Sequence, residues 1–402
     1  MFRKFIISFL FMGLIGQTVS MAQDDQTPQI IGQDKNSNPI ITAVPFLTIA
    51  PDARSAGMGD AGVALSPDAN AAYWNPSKLA FAKQRMGFSL SYTPWLQKIV
   101  GDMSLAYLSG YRKLNENQVI GGSLRYFNLG SMEFTNTSGS TIADFNPREF
   151  AFDLTFAMKL SERLSIGGTG RFIHSNLTGN ISSGATTNDT KPGNTAAVDL
   201  SMYYNNEDVM FLGYPTNVAF GVNLSNIGFK ITYTDENQKD FIPTNLRLGT
   251  AITTHFDPMN KLTWAFDVNK LLVPTPPHYD ENRNIIAGKD PDRSMISGMF
   301  GSFGDAPDGF SEEMKELIFA TGLEYWYNDL FAVRGGYFHE NKTKGNRQYF
   351  TFGLGLRYQK FGIDFAYLAA SQRNHPLEDT LRFTLMVNFG ESKDIADQPG
   401  EI

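Results

Sequence analysis

Thr380-Leu381-Arg382-Phe383-Thr384-Leu385-Met386-Val387-Asn388-Phe389 alternates without a break. Leu381, Phe383, Leu385, Val387 and Phe389 fall on one face of an extended chain, and Arg382, Thr384, Met386 and Asn388 on the other. A period of two belongs to a strand, and one wholly apolar face opposite a mixed one fits a strand standing between lipid and a polar lumen. The pattern recurs upstream. Phe150, Phe152, Leu154, Phe156 and Met158 alternate with Ala151, Asp153, Thr155, Ala157 and Lys159, and Leu262, Trp264, Phe266 and Val268 with Thr263, Ala265, Asp267 and Asn269. Fourteen such segments are predicted, near 86–93, 102–111, 118–128, 149–159, 164–173, 195–204, 215–224, 244–254, 261–270, 317–327, 331–339, 348–358, 361–369 and 380–389. Most run to about ten residues, the span of a tilted transmembrane strand, whereas soluble strands cluster at about 5–6.

The connections point the same way. After even segments they are short (112–117, 160–163, 328–330, 359–360), and after odd ones mostly long (129–148, 174–194, 225–243, 271–316). Short periplasmic turns and long outer loops require that asymmetry, which a soluble sandwich does not. Strands running toward the short turns end in aromatics: Tyr111, Tyr203 with Tyr204, Phe256, Trp326 with Tyr327, Tyr358 and Phe389. These are expected to form an aromatic girdle at one membrane interface. The expected fold class is therefore all-β and membrane-embedded: a fourteen-stranded antiparallel transmembrane β-barrel over 86–390.

Composition agrees. Aromatics make up 13% and charged residues 19%, with 37 glycines and no cysteine. The first excludes few β-barrels and favours them over ordinary soluble chains, while the last excludes disulfides, thiol catalysis and Cys-based metal sites. A formal charge of −7 argues against nucleic acid as a partner, since phosphate binding needs a basic face. Arg3 and Lys4 precede the apolar run Phe5–Gly16, and Ser20-Met21-Ala22 offers small residues for cleavage. Residues 1–22 thus read as a signal peptide, too short to span a bilayer as a helix and not of a lipoprotein, because no cysteine follows. The expected location is the outer membrane of a Gram-negative cell. Residues 23–42 and 391–402 are polar and are expected to be flexible, the latter as a periplasmic tail.

Residues 43–85 break the alternation. Ala53–Leu65 is rich in small residues, Pro67-Asp68-Ala69-Asn70 makes a turn, and Ala72–Phe81 is predicted as a short helix entered at Asn75-Pro76. Too short to hold a core of its own, this segment is expected to fold inside the barrel as a plug, or hatch. Its small residues allow close approach to the wall.

No catalytic or metal signature emerges, and the chain is expected not to be an enzyme and to need no cofactor. His174, His255, His278, His339 and His375 are scattered, without HExxH spacing. Asp34-Lys35-Asn36-Ser37-Asn38 mimics the start of a calcium loop, but Pro39 stands where glycine is needed and Pro45 where the bidentate glutamate belongs. Asp305, Asp308, Glu312 and Glu313 read as an acidic solvated loop rather than a metal site, and the Gly353–Gly355 pair as alternation within a strand. Arg125, Asp153, Arg171, Asp199, Asp267, Glu324, Arg334, Asp364 and Arg382 must point into the lumen, because a charge facing lipid at mid-depth costs ~2–4 kcal/mol. Their expected role is to pair with each other or with the plug.

The plug segment carries a resemblance. Ala53-Arg54-Ser55-Ala56-Gly57-Met58-Gly59-Asp60-Ala61-Gly62-Val63, Pro67-Asp68-Ala69-Asn70 and Tyr73-Trp74-Asn75-Pro76-Ser77-Lys78-Leu79-Ala80 resemble the plug of the FadL family of outer-membrane barrels. Ser77 stands where that family has alanine. More narrowly, Val44-Pro45-Phe46-Leu47-Thr48-Ile49-Ala50-Pro51-Asp52-Ala53-Arg54 with Met58-Gly59-Asp60 and Trp74-Asn75-Pro76 is similar to the PorV family of the Bacteroidetes type IX secretion system, over about residues 42–390. The plug motif of the resemblance comprises Gly57, Gly59, Asp60, Gly62, Trp74, Asn75 and Pro76. The resemblance implies association with an SprA/Sov-type translocon barrel, reception of cargo bearing a C-terminal targeting domain, and delivery to an attachment complex with a PorU-type sortase. The alternative is a FadL-type transporter of hydrophobic small molecules such as long-chain fatty acids. Such a transporter needs an apolar pocket, whereas the predicted lumen faces are rich in Asp, Arg, Asn and Thr. The loop 271–316 holds Met295, Ile296, Met299, Phe300, Phe303 and Phe310, a cluster suited either to a partner-contact surface or to capping the barrel mouth.

Overall fold

The computed structural model describes residues 37–96, 100–135, 141–177, 191–233, 239–371 and 377–391. The expected signal peptide 1–22, positions 23–36, His375 and the tail beyond Glu391 lie outside them.

Fourteen antiparallel strands close into one barrel. They are β1 Gln84–Pro94, β2 Ser104–Lys113, β3 Gln118–Asn128, β4 Arg148–Lys159, β5 Leu164–Asn176, β6 Gly193–Phe211, β7 Tyr214–Gly228, β8 Asn245–His255, β9 Asn260–Leu271, β10 Ile318–Tyr327, β11 Phe331–His339, β12 Gln348–Tyr358, β13 Phe361–Ala370 and β14 Thr380–Glu391. Each pairs with its sequence neighbours, and β14 closes on β1 with Met86 opposite Phe389 and Tyr92 opposite Phe383. Closure leaves no unpaired edge, the condition for crossing lipid with strands. Among the described residues no helix is long and apolar enough to cross a membrane.

The alternation read from the sequence sets the two faces of the wall. In β4, Ala151, Asp153, Thr155 and Ala157 are buried while Phe152, Leu154 and Phe156 stand exposed on the outside. In β14, Arg382, Thr384 and Met386 are buried, and Phe383, Leu385 and Phe389 face out. The predicted girdle is corrected by the same parity. Phe256, Tyr327, Tyr358 and Phe389 face outward, but Tyr111, Tyr203 and Trp326 are buried in the lumen. Each sits one residue out of phase with the lipid face, and its ring fills space around the plug.

The hairpin of β6 and β7 exceeds its predicted length. β6 continues through Asn205-Asn206-Glu207-Asp208 to Phe211 and turns at Leu212 and Gly213, both with positive φ, as in a two-residue hairpin turn. The pairing register shifts between Asn206 and Val209, so a bulge absorbs polar residues whose pattern does not alternate.

At the opposite end the loops carry structure of their own. The longest, 272–317, contains the short hairpin His278–Tyr279 with Ile285–Ala287 and two short helices, Met295–Gly301 and Phe310–Lys315. Residues 37–42, expected as part of a flexible segment, are held at this mouth. The Asn38 backbone N–H donates to the Thr343 carbonyl at 2.8 Å, and its side-chain amide to the Pro276 carbonyl and Glu312 Oε1, both at 3.0 Å.

The two ends of the barrel can be told apart on cells. A cysteine at Asp290, exposed in the long loop, should react with an impermeant maleimide on intact cells. Cysteines at Asn115 and Asn328, exposed in short turns, should react only after permeabilisation. The opposite pattern inverts the topology, and uniform labelling is incompatible with the barrel.

Candidate functional site: the plug and the outer lid

The plug enters from the long-loop mouth and leaves at the short-turn end where β1 begins. Its helices are brief: a 3-10 turn at Pro45–Thr48, α1 Ala53–Ala56, α2 Ala71–Trp74 and a second 3-10 turn at Pro76–Phe81. The single helix predicted over Ala72–Phe81 is split at Asn75, which is extended because the following proline disfavours the helical region. Asn75 turns the break into a clamp. Its side-chain N–H groups reach the carbonyls of Val63 and, on the wall, Met202, while its oxygen accepts from the Ser77 N–H and hydroxyl. What Ser77 adds over alanine is its hydroxyl on Asn75 Oδ1; its backbone carbonyl accepts from Ser165 at 2.8 Å and its backbone N–H donates to Ser201 at 3.0 Å, as an alanine's would.

The remaining motif residues dock on different strands. Gly59 has φ of +70°, and its N–H donates to Thr351 Oγ1 at 2.8 Å. Asp60 continues the left-handed turn and accepts from the Tyr349 hydroxyl at 2.6 Å and Arg382 at 2.9 Å. The Gly62 and Val63 N–H groups donate to Asp267 at 2.7 and 2.9 Å. A Cβ on Gly62 would sit 2.3 Å from the Trp74 ring, whose Nε1 donates to Asp52 at 2.6 Å. Gly57 packs on Gly353 of β12, which gives the predicted Gly353 alternation its reason.

All nine predicted lumen charges are buried and inward. They form two ionic systems and several plug contacts. Arg171 bridges Asp153 at 2.7 Å and Asp199 at 3.0 Å within the wall. A second chain runs from the plug to the wall: Asp68 to Arg54, then Glu324, Arg334, Asp364 and Arg357. Arg125 donates to the carbonyls of Phe46 and Leu47 and stacks on Tyr73.

At the outer mouth α3 (Met295–Gly301) and α4 (Phe310–Lys315) form a lid. Of the acidic residues expected to be solvated, Asp308 is exposed, whereas Glu312 and Glu313 fasten the lid together with Glu316. Glu313 and Glu316 take Lys270 of β9 at 3.0 and 2.6 Å, and Glu312 and Glu316 take Lys344 at 2.5 and 3.0 Å. Burial works against the charge on Glu312 and Glu313, but the lysines and backbone N–H groups hold both carboxyls below their usual range. Asp305 is buried as well, and Asp308 donates its N–H to Glu312. The apolar residues of the loop divide. Met299 is 8% exposed and Met295 half-buried, whereas Ile296 (61%), Phe300 (67%), Phe303 (53%) and Phe310 (79%) face solvent. The spacing of Ile296 and Phe300 by four residues puts both on one helix face.

The plug separates two chambers, one of about 420 Å³ beneath the lid and one of about 600 Å³ at the short-turn end. Among the described residues no group of three or more His, Asp or Glu is placed to hold a metal ion.

In its fold the chain is similar to the TodX deltaS2S3 mutant monoaromatic hydrocarbon channel, at 13% identity and a TM-score of 0.50, with 85% of this chain and 98% of that one covered. It is also similar to the Pseudomonas putida toluene transporter TodX (12% identity, TM-score 0.48, 83% and 96% covered). A Pseudomonas aeruginosa FadL homologue aligns at 12% identity and TM-score 0.44, with 88% and 100% covered. Such identities speak to fold alone. No curated protein matches the chain in sequence. The family described as Type IX secretion system protein PorV matches residues 32–278, more than half of the chain, including the whole plug. A fourteen-stranded barrel with this plug motif and that match belongs to the PorV family, as an outer-membrane component of the type IX secretion system.

Proposed function

We propose that this barrel receives proteins bearing a C-terminal targeting domain at its outer face, in association with an SprA/Sov-type translocon barrel, and hands them to an attachment complex with a PorU-type sortase. The observation that carries the reading is the lid. Ile296, Phe300, Phe303 and Phe310 stand exposed on a loop whose underside is fastened by buried ion pairs. A rigid apolar surface loses little conformational freedom on binding, which favours affinity. The plug supports reception rather than conduction. Its backbone packs directly against the wall at Gly59 and Gly336, and the plug stands between the two chambers.

Interface anchors are commonly large apolar residues whose truncation costs ~2 kcal/mol or more. Replacing Ile296, Phe300 and Phe303 together by Ser should abolish surface display of a C-terminal-domain reporter while heat-modifiability on gels stays that of the wild type. Normal display by this variant would reduce the lid to a cover and refute its role as the receiving surface.

The importer reading draws on one observation, the chamber beneath the lid, whose lining includes Ile49, Trp95, Leu271 and Ile318. Fatty acid co-purifying with the barrel, with no translocon barrel captured alongside, would favour it.

A further inference from the structure

The outer chamber holds a guanidinium that makes no ion pair among the described residues. Four cationic side chains line it: Arg247, Lys344, Arg347 and Arg382. Lys344 is bound to Glu312 and Glu316, Arg347 to Glu340, and Arg382 to Asp60. Arg247, buried, has no carboxylate within ion-pair distance among the described residues. Among the described residues its guanidinium donates only to Tyr73, to the hydroxyl at 2.8 Å and the carbonyl at 3.4 Å, and stacks on the rings of Tyr73 and Trp74. A buried guanidinium without an anion is costly, and the usual remedy is a carboxylate or phosphate taken in two parallel hydrogen bonds.

Two further groups on the same face lack partners. Asn269 lies directly opposite Arg247 in the β8–β9 pairing, and Asn245 lies two residues before it on β8. Both side chains are more than nine-tenths buried, both line the chamber, and the Oδ1 of each accepts no hydrogen bond. A satisfying ligand must therefore bring an anion for Arg247 and N–H donors for two amide oxygens. A fatty acid has the anion and no donor. The end of a polypeptide has both: a terminal carboxylate and the backbone N–H groups just before it. Trp95, Leu271 and Ile318 supply apolar wall for its last side chains, and about 420 Å³ lies within the ~300–1,000 Å³ of ordinary ligand pockets.

We propose that the outer chamber is a receptor for the free C-terminal end of a peptide, with the carboxylate on Arg247 and the preceding N–H groups on Asn245 and Asn269. Resting on the cargo-receiving reading, the peptide is the extreme C-terminus of a secreted substrate, which arrives at the same mouth.

The test uses the purified full barrel in detergent and a fluorescein-labelled peptide, Gly-Ala-Val-Leu-Ile, as the free acid and as the C-terminal amide. Fluorescence anisotropy should show the acid binding about tenfold or more tighter than the amide, the gain of a charge-assisted pair. Arg247→Gln should bring the acid down to the level of the amide. Asn269→Asp, which places a carboxylate beside Arg247 without removing a wall contact, should do the same and keep the barrel heat-modifiable if Arg247→Gln disturbs the plug. Equal binding of acid and amide, or no binding of either, overturns the proposal. So does dodecanoate binding with the same dependence on Arg247 when the peptide does not bind. Reporter display separates the site from the wider reading. If the acid binds through Arg247 but Asn269→Asp cells display cargo normally, the cargo assignment of the peptide is overturned, while the lid variant judges cargo reception independently.

Discussion

Gly59→Leu should prevent the plug from seating, with a collapse in the yield of heat-modifiable barrel and loss of protease resistance over residues 43–83. The geometry leaves no room for relief. A Cβ at Gly59 would lie 2.5 Å from the Tyr337 nitrogen and 2.7 Å from the carbonyl oxygens of Thr321 and Tyr337. All three are backbone atoms in β10 and β11, so neither a rotamer change nor a flexible side chain can yield. The φ of +70° adds ~1–2 kcal/mol for any residue with a Cβ. Overpacking of a tight interior adds ~1–3 kcal/mol or more. Opposite stands Gly336, where a Cβ would fall 2.1 Å from the Gly59 nitrogen, so Gly336→Ala should produce the same phenotype from the wall side. Gly170→Ala is the matched control, because a Cβ there meets nothing within 4 Å. A Gly59→Leu barrel with wild-type yield and an intact protease-resistant plug would mean that the contact of plug and wall is looser than this packing requires.

How much of this was legible depended on whether a signal was periodic. Alternation along β4 and β14 gave strand, face and the inward charges together, because a charge on the lipid face is too costly to leave Arg382 or Asp153 any other direction. The plug motif was legible as small residues and an Asn-Pro break, but not as partners. Nothing in the spacing of Gly62 and Asp267, 205 positions apart, foretells that one donates to the other. Tyr111, Tyr203 and Trp326 were misassigned to the girdle because residue type was allowed to outrank parity. Glu312 and Glu313 read as solvated because their lysines, Lys344 and Lys270, come from another loop and from β9. Met299 was grouped with its exposed neighbours because a seven-residue helix leaves too little periodicity to tell its faces apart. Asn245, Arg247 and Asn269 were not singled out at all. The one signal was the strand pairing itself, since Arg247 and Asn269 become neighbours only once β8 and β9 are in register.

Glu324→Leu should be the most destabilising single change among the wall's charged residues, at ~3–5 kcal/mol, the cost of leaving a buried partner charge uncompensated. Glu324 is the one carboxylate that joins plug and barrel in the six-membered chain. Its Oε1 accepts from Arg54 at 2.9 Å, and its Oε2 from Arg54 at 3.0 Å and Arg334 at 2.7 Å. Three carboxylates and three guanidiniums alternate along that chain, so its charge is balanced as it stands. Removing Glu324 leaves Arg54 and Arg334, both buried, facing each other across the plug boundary. Arg334 retains Asp364 at 2.8 Å, whereas Arg54 retains as an anion only Asp68, itself partly solvated, beside the Ser66 carbonyl and hydroxyl. The plug should therefore give way before the wall does. Proteolysis within 43–83 should rise at urea concentrations where the barrel still runs as a folded band. The double variant Arg54→Leu with Glu324→Leu removes both members of the crossing pair, so no cation is left on the plug side; Arg334 and Arg357 then share Asp364, and Asp68 is partly solvated. It should recover most of the loss, since an apolar pair of similar volume often matches a buried ion pair. Added salt should change neither result much, because the pair is shielded from the screening that weakens surface charges. A single variant within about 1 kcal/mol of wild type, or a double variant worse than the single one, would show that Arg54 and Glu324 hold the plug by shape rather than by charge.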